Sequence, residues 1–439
     1  MRAHFQKLAE HVATLLSAGE AFTLWLQAEN TDFVRFNHGK VRQAGEVRLA
    51  ALDLALLRGQ RQAEQSLNLS GGDDDFALLD AIVPQLRAAL DDVADDPFLL
   101  INREPASSER VQASALPASA VMAADIAAAA AERDLVGLLA SGEMMFGFAN
   151  SLGQFNWQHS ASWNFDWSVY AHGDKAVKCG MAGSRWSGPE AAQAIAEAAG
   201  QLAWLQRPPR TLQPGAYRAY FAPAALGALL SMLNWGGWSE KEVRSKRSPL
   251  LRLVEGQVRL SPLVTLSEAN AAGLAPLFQQ QGFSRPERVD LIVEGKHRQS
   301  LVSPRSASEF GLAGNGAAAW EAAESLEMAA GSLPTRDVLR ALGTGVYVSN
   351  LWYLNFSDRA ACRVTGMTRF ACFWVEDGEI VAPLSVMRFD DSLYQLLGER
   401  LEALTTERTF MADSASYAGR STRSQHLPGA LVGAFHFSL

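Results

Sequence analysis

Eight histidines (4, 11, 38, 159, 172, 297, 426 and 436) and three cysteines (Cys179, Cys362 and Cys372) are the scarce metal ligands and nucleophiles of this 439-residue chain. A hydrolytic zinc needs about three protein ligands, an open position for water and a carboxylate acting as base. No histidine here is followed by glutamate, and none has a second histidine four residues away, so the helical ligand pair of such sites is missing. His159, Asp166, His172, Asp174 and Cys179 are the densest collection of donors. Strand alternation separates them, and they read as polar strand and turn positions. His426 and His436 follow no ligand spacing either. The glycines of Gly311-Leu-Ala-Gly314-Asn315-Gly316 could cradle a phosphate, but no strand precedes them and no Lys-Ser/Thr follows. A loop lining a cavity is the better reading, with Asn315 and Gly316 as candidate wall residues. Ser184 and Ser187 lack the Gly-x-Ser-x-Gly setting of an activated serine.

The apolar segment Pro223–Trp235 has helical spacing, with Pro223 where its missing N–H costs nothing. Between Ala222 and Gly237 there is no His, Cys, Asp or Glu, and Ala225, Gly227 and Ala228 fill space where ligands would stand. Trp235-Gly236-Gly237-Trp238 follows it, a tight turn expected to expose both indoles at a cavity or an interface. Glu240 and Glu242 then sit among Lys241, Arg244, Lys246 and Arg247, a charged face toward solvent or a partner.

These residues need elements to position them. Phe5, Leu8, Val12 and Leu15 mark an N-terminal helix. Strands are expected at Phe22–Gln27 and Thr31–Asn37, then at Val47–Leu57 beyond a His38-Gly39 turn, with a helix over Asp73–Asp91. Ser/Ala/Pro-rich residues 105–118 form a loop or linker, and Ala120–Asp134 and Gly188–Gln206 are Ala-rich helices. After a polar turn between Trp157 and Trp163, residues Trp163, Phe165, Trp167 and Val169 alternate with polar ones as the buried face of a meander. Arg207-Pro208-Pro209-Arg210 is the clearest boundary. It divides a unit of residues 1–207, itself divisible near 105–118, from a unit of residues 211–439. In the latter, Leu260–Leu266, Pro286–Glu294 and His297–Val302 read as strands, and Leu393–Leu404 as an amphipathic helix. Gly343–Phe389 reads as the core sheet: Phe370–Val375 is almost wholly apolar, Asp377-Gly378 is a hairpin turn, and Pro383 confines its strand to an edge.

Net charge is −8, from 39 basic and 47 acidic residues, and no basic block interrupts it. That argues against nucleic acid as a partner, since phosphate contacts need clustered Lys and Arg. No run is long and apolar enough to span a membrane, and the N-terminus is an amphipathic helix with Glu10 and His11 in it rather than a signal peptide. Three cysteines inside apolar strands read as buried thiols of a cytoplasmic protein.

FVRFNHGKVRQA, GAYRAYFAPAALGALLSML, VDLIVEGKHRQSLVSPRSASEFGLAGNGA and LGTGVYVSNLWYLN with FWVEDGEIVAPLSVMRFDDSLYQLL occur in this order. Together they resemble the TldD/PmbA family, the "modulator of DNA gyrase" peptidase-related proteins, over roughly residues 20 to 437. The resemblance implies an α+β fold: an N-terminal lobe of curved antiparallel sheet with helices, and a C-terminal lobe with a large, mostly antiparallel sheet. It also implies a dimer around a central cavity. In that family the TldD kind carries His-Glu-x-x-x-His on the central helix and a later cysteine, and binds a catalytic metal. The TldE/PmbA kind lacks those ligands and pairs with it to cleave unfolded or extended peptides. The segment here lacks the motif and no cysteine follows Asp413, so this chain is expected to be a TldE/PmbA-like subunit. It would have no cofactor of its own and no catalysis alone, and zinc is expected only in a TldD-like partner. Gln279-Gln280-Gln281-Gly282 and Val364-Thr365-Gly366-Met367-Thr368 depart from the family's acidic loops and mark a divergent branch. A stand-alone homodimeric peptide-binding or scaffold protein is the alternative.

Overall fold

The computed structural model describes residues 1–438 as an α+β fold with two sheets. The first contains β1 (Glu20–Asn37), β2 (Lys40–Arg58), β3 (Arg61–Asn68), β4 (Ser108–Val111), β5 (Asp134–Asn150), β6 (Phe155–His172) and β7 (Lys175–Gly183). Their order is β3-β2-β1-β5-β6-β4, with β7 also on β6. Every pair is antiparallel except β4 on β6.

Two interruptions expected from the sequence are absent. Ala28, Glu29 and Asn30 continue β1 as one strand because they pair with β2 on one side and β5 on the other. Two ladders outweigh the weak strand preference of Glu and Asn. The polar residues between Trp157 and Trp163 likewise stay in β6, held by β5 along its length. The His38-Gly39 turn is as expected, both residues taking positive φ (49° and 68°), which a two-residue hairpin with the right twist needs.

Helices α1 (Arg2–Leu15) and α2 (Asp74–Asp92) bury Phe5, Leu8, Val12, Leu79, Val83 and Leu90 against Leu24, Leu54 and Leu56. Helices α3 (Ser119–Ala129) and α4 (Gly188–Leu205) cover Trp163, Phe165, Trp167 and Val169, the apolar face of β6. The opposite face of β6 carries Asn156, Gln158, Ser162, Asn164 and Ser168, and these are buried too.

The second sheet has thirteen strands: β8 (Gly215–Phe221), β9 (Leu266–Glu268), β10 (Val289–Val293), β11 (Lys296–His297), β12 (Ser325–Met328), β13 (Gly345–Val348), β14 (Asn350–Asp358), β15 (Arg363–Arg369), β16 (Phe373–Glu376), β17 (Glu379–Pro383), β18 (Arg388–Ser392), β19 (Leu401–Ala412) and β20 (Ser424–Phe437). It is mostly antiparallel; β8 with β13 and β12 with β20 are parallel. The stretch 343–389 contributes β13 to β17, but the centre is β20, which pairs with β8, β12, β18 and β19 along its fourteen residues.

Local geometry explains the remaining differences from expectation. Phe370 takes φ 62°, so the apolar run becomes a strand only at Phe373. Cys362 lies in a turn with φ 49° and Cys372 precedes β16; neither is in a strand, though both are buried, whereas Cys179 in β7 is only half-buried. Leu393–Leu404 is one helical turn, Leu393–Leu396, followed by β19. Gly398 packs against the carbonyl of Tyr394, where a Cβ would collide, and turns the chain into the strand. Leu260–Leu266 is loop until Leu266, because Val264 N–H closes a turn onto Ser261 O (2.9 Å). Beyond His297 the chain leaves the ladder, and Leu301 N–H donates to Trp238 O at 2.7 Å. The Asp377-Gly378 hairpin has the expected positive φ values (50° and 83°), and Pro383 ends β17 at the sheet edge.

The two sheets meet through aromatic and polar contacts. Trp25 packs edge-on against Phe278, with ring centroids 5.7 Å apart. Gly282, at φ 80°, lies close against the Phe148 ring, where a Cβ would collide. Its carbonyl accepts from Asn102 Nδ2 (2.8 Å) and Gln154 Nε2 (2.7 Å). A side chain at position 282 would separate these surfaces.

Candidate functional site

The buried polar face of β6 is reached from loops that join strands of the second sheet: Gln158 Nε2 donates to Ala275 O, and Arg420 Nη2 to Ser162 Oγ at 2.9 Å. Between the sheets runs the loop 413–423 that joins β19 to β20, and three cavities follow it. The first, about 340 Å³, is lined by Trp25, Gln27, Phe146, Gln279, Gln280, Gln281, Arg285, Glu324, Arg420 and Arg423. The second, about 510 Å³, shares Arg423 and adds Ser231, Asn234, Trp235, Trp320, Asp413 and Gln425. The third, about 350 Å³, shares Met411 and Ala412 with the second and adds Asn164, Asp166, Lys178, Cys179, Pro223, Tyr347 and Asn350. Shared walls make these the compartments of one groove, and their sizes are those of ligand sites.

Helix α5 (Pro223–Ser231) stands between the second and third cavities. It begins at Pro223, and Leu226, Leu229 and Leu230 bury its inner face in the core. On its outer face Ser231 Oγ donates to Gly227 O (2.8 Å), and Gln425 Nε2 donates to Ser231 Oγ (3.0 Å) and Gly227 O (3.4 Å). A Cβ on Gly227 would run into Gln425 Oε1, so the amide lies directly on the helix. The outer edge of β19 beside the third cavity, Thr409–Ala412, has no strand partner among the described residues.

Of the residues singled out from the sequence, Trp235 is 53% exposed, lines the second cavity and meets Phe356 edge-on. Trp238 overturns the expectation of a second exposed indole: it is 3% exposed and belongs to the core. The chain reverses between them. Gly236 takes φ 87°, and Gly237 N–H donates to Leu233 O at 2.6 Å, which turns Trp238 inward. Asn315 clamps its own loop, Oδ1 accepting from Val302 N–H and Nδ2 donating to Ser300 O, both at 2.8 Å. Gly316 takes φ 69° and lies against the carbonyl of Ser284. Asn315 and Gly316 border a small hollow that shares Arg285 and Glu324 with the first cavity, and neither residue lines the three cavities themselves.

The donor collections do not converge. His159 faces Glu143 (3.5 Å), Asp166 pairs with Lys178 (2.5 Å), and burial pushes the Cys179 thiol up to about 11. His426 lies by Glu327 and His436 by Asp391, far apart on β20. Among the described residues no three His, Cys, Asp or Glu side chains come together as a metal-holding group. Glu240 and Glu242 belong to α6 (Glu240–Arg244), pairing with Arg244 (2.7 Å) and Arg247 (3.1 Å).

The sequence reading missed Glu324, Arg285 and Arg420 of the first cavity, and Glu268 in the small hollow behind it. Glu268 is 4% exposed, and burial raises its carboxyl to about 7 even though both oxygens accept the backbone N–H groups of Glu324 and Ser325. Arg285 pairs in a fork with Glu324 (2.6 and 3.1 Å). Arg420 is 5% exposed, and burial lowers it to about 10. The one available signal was the cluster of Arg420 and Arg423 in a loop without periodicity.

The description "PmbA/TldA metallopeptidase C-terminal domain" matches residues 214–438. Three crystal structures share the whole fold. TldE from Thermococcus kodakarensis superimposes with TM-score 0.80 at 13% identity, over 99% of this chain and 100% of that one. A proposed modulator of a DNA gyrase from Thermotoga maritima gives 0.79 at 13% identity, over 99% and 100%. Another from Bacteroides thetaiotaomicron gives 0.73 at 14%, over 99% and 98%. No curated protein sequence matches the chain.

Proposed function

This chain belongs to the TldD/PmbA family, and on that footing we propose that it is the metal-free subunit of a family metallopeptidase acting on unfolded or extended peptides. The observation that supports this is the outer face of α5, the helix whose sequence resembles the family's ligand-bearing segment. A catalytic zinc takes imidazole, thiolate or carboxylate donors. Gly227 and Ser231 offer none, and the Gln425 amide is hydrogen-bonded across them. A metal therefore does not fit this donor set. The catalytic metal, zinc by the family's pattern, resides on a TldD-like partner.

The contribution of this chain is half of a cavity wall. An extended peptide lying along the groove adds to the free edge of β19 at Thr409–Ala412, so that backbone hydrogen bonds supply sequence-tolerant affinity. Exposed aromatics support an assembly surface: Trp235 (53%) and Trp352 (50%) with Tyr353 (76%) on the edge strand β14. Large aromatics of this kind anchor interfaces. The partner is a TldD-like subunit or a second copy of this chain, and with three free cysteines the cytoplasm is the compartment that suits it.

Co-expression with a family member carrying His-Glu-x-x-x-His tests the pairing. A stable one-to-one complex on size exclusion with light scattering is expected. Separate elution of both chains at high concentration would contradict it.

A further inference from the structure

The first cavity contains an electrostatic anomaly that strand pairing does not use. A buried guanidinium is costly unless a carboxylate pairs with it. Arg420 is 5% exposed, yet among the described residues its guanidinium reaches only neutral acceptors: Ser162 Oγ at 2.9 Å, and Asn164 Oδ1 and Gly142 O at 3.5 Å. Glu29 is nearby, but it accepts the backbone N–H of Arg420 and the hydroxyl of Thr31 instead. Among the described residues, the buried Nε donors of Arg420 and Arg285 both lack a partner. The Arg285 side chain is 7% exposed and has spent one edge on Glu324. Arg423, exposed at the mouth, makes no ion pair among the described residues. Three guanidiniums thus face a cavity whose lining holds one carboxylate, Glu324.

We propose that this cavity anchors a carboxylate of the bound peptide, held by Arg420 and Arg423 with Arg285 behind them. This rests on the groove being a peptide site. Guanidinium is the group suited to it, because its planar fork matches a carboxylate and makes charge-assisted bonds. The Trp25 and Phe146 rings form the apolar wall beside the charges, and about 340 Å³ leaves room for one end residue. The carboxylate is either the peptide's C-terminus or an Asp or Glu side chain near it. Burial lowers Arg420 to about 10 in the absence of such a partner, and a bound anion would relieve that cost.

The test is calorimetric titration of the full chain, with its partner subunit present if they co-purify. The probes are acetyl-tetraalanine as free acid, the same peptide as C-terminal amide, an amide ending in glutamate, and succinate. The free acid is expected to bind about tenfold tighter than the alanine amide, the gain typical of charge-assisted bonds. A glutamate amide that recovers the gain identifies a side-chain carboxylate as sufficient; one that does not identifies the C-terminus. Arg423→Gln, an exposed change that spares the fold, should remove most of the difference, and Arg420→Gln all of it. Equal binding of acid and amide, with no succinate binding, overturns the anchor while leaving the peptide groove intact. Succinate binding that is lost in Arg423→Gln, with no peptide bound, upholds the anchor and overturns the groove. No binding of any probe overturns both.

Discussion

Gln425 on β20 donates its side-chain amide to Ser231 Oγ on α5 at 3.0 Å, closing the outer face of that helix. The donors there are a hydroxyl, an amide and a backbone carbonyl, too weak to hold zinc against water. The purified chain should carry far less than one zinc or iron after dialysis, by elemental analysis. One tightly held metal per chain would contradict this.

The two tryptophans flanking Gly236-Gly237 should separate cleanly in their effects. Trp238→Ala removes a core indole and should destabilise the fold by about 3–5 kcal/mol in urea denaturation. Trp235→Ala should leave that transition in place and weaken assembly by about 2 kcal/mol if Trp235 is a hot spot. A light-scattering dilution series reads the second effect. Equal assembly of parent and variant would remove Trp235 from the interface.

How much was legible in the sequence follows from where each signal resides. His38-Gly39 and Asp377-Gly378 announced their hairpins because positive φ restricts residue choice locally. Trp163, Phe165 and Trp167 announced a buried face by period two. The polar face of the same strand did not, because in isolation a polar alternation reads as solvent; the distant loops that carry Ala275 and Arg420 meet Gln158, Ser162 and Asn164 only in the folded chain. Leu393, Leu396, Leu397, Leu401 and Leu404 satisfy helical spacing, and the break at Gly398 depends on contact with Tyr394 O. The α5 face was readable as lacking ligands, but not that Gln425, nearly two hundred residues away, lies across it. Arg420 had no periodicity to mark it.

Glu268 should make stability depend on pH. Burial raises its folded carboxyl to about 7, above the unfolded value of 4.5. The folded state therefore holds the extra proton between those values. The stabilisation is full below about 4.5 and is lost as pH rises toward 7, with an upper bound of about 3 kcal/mol. Glu268→Gln keeps the neutral form, so its melting temperature should gain on the parent as pH rises from 5 to 8. A difference independent of pH would show that Glu268 does not titrate this way.

Cys362 and Cys372 are 0% and 2% exposed, and burial pushes both thiols up, Cys362 to about 12. Since the thiolate is the reactive form, neither should react with iodoacetamide at pH 8 in the native state. The half-buried Cys179, pushed up to about 11, should react slowly. All three should react in urea, as mass spectrometry would show. Rapid native labelling of Cys362 or Cys372 would mean that its turn opens.

The central claim is that this chain shapes a peptidase groove without supplying the catalytic metal. Its most direct test is cleavage of denatured fluorescein-labelled casein by the chain alone and together with a His-Glu-x-x-x-His family member, each with and without EDTA. No cleavage by the chain alone and EDTA-sensitive cleavage by the pair is the predicted result. EDTA-sensitive cleavage by the chain alone would contradict it.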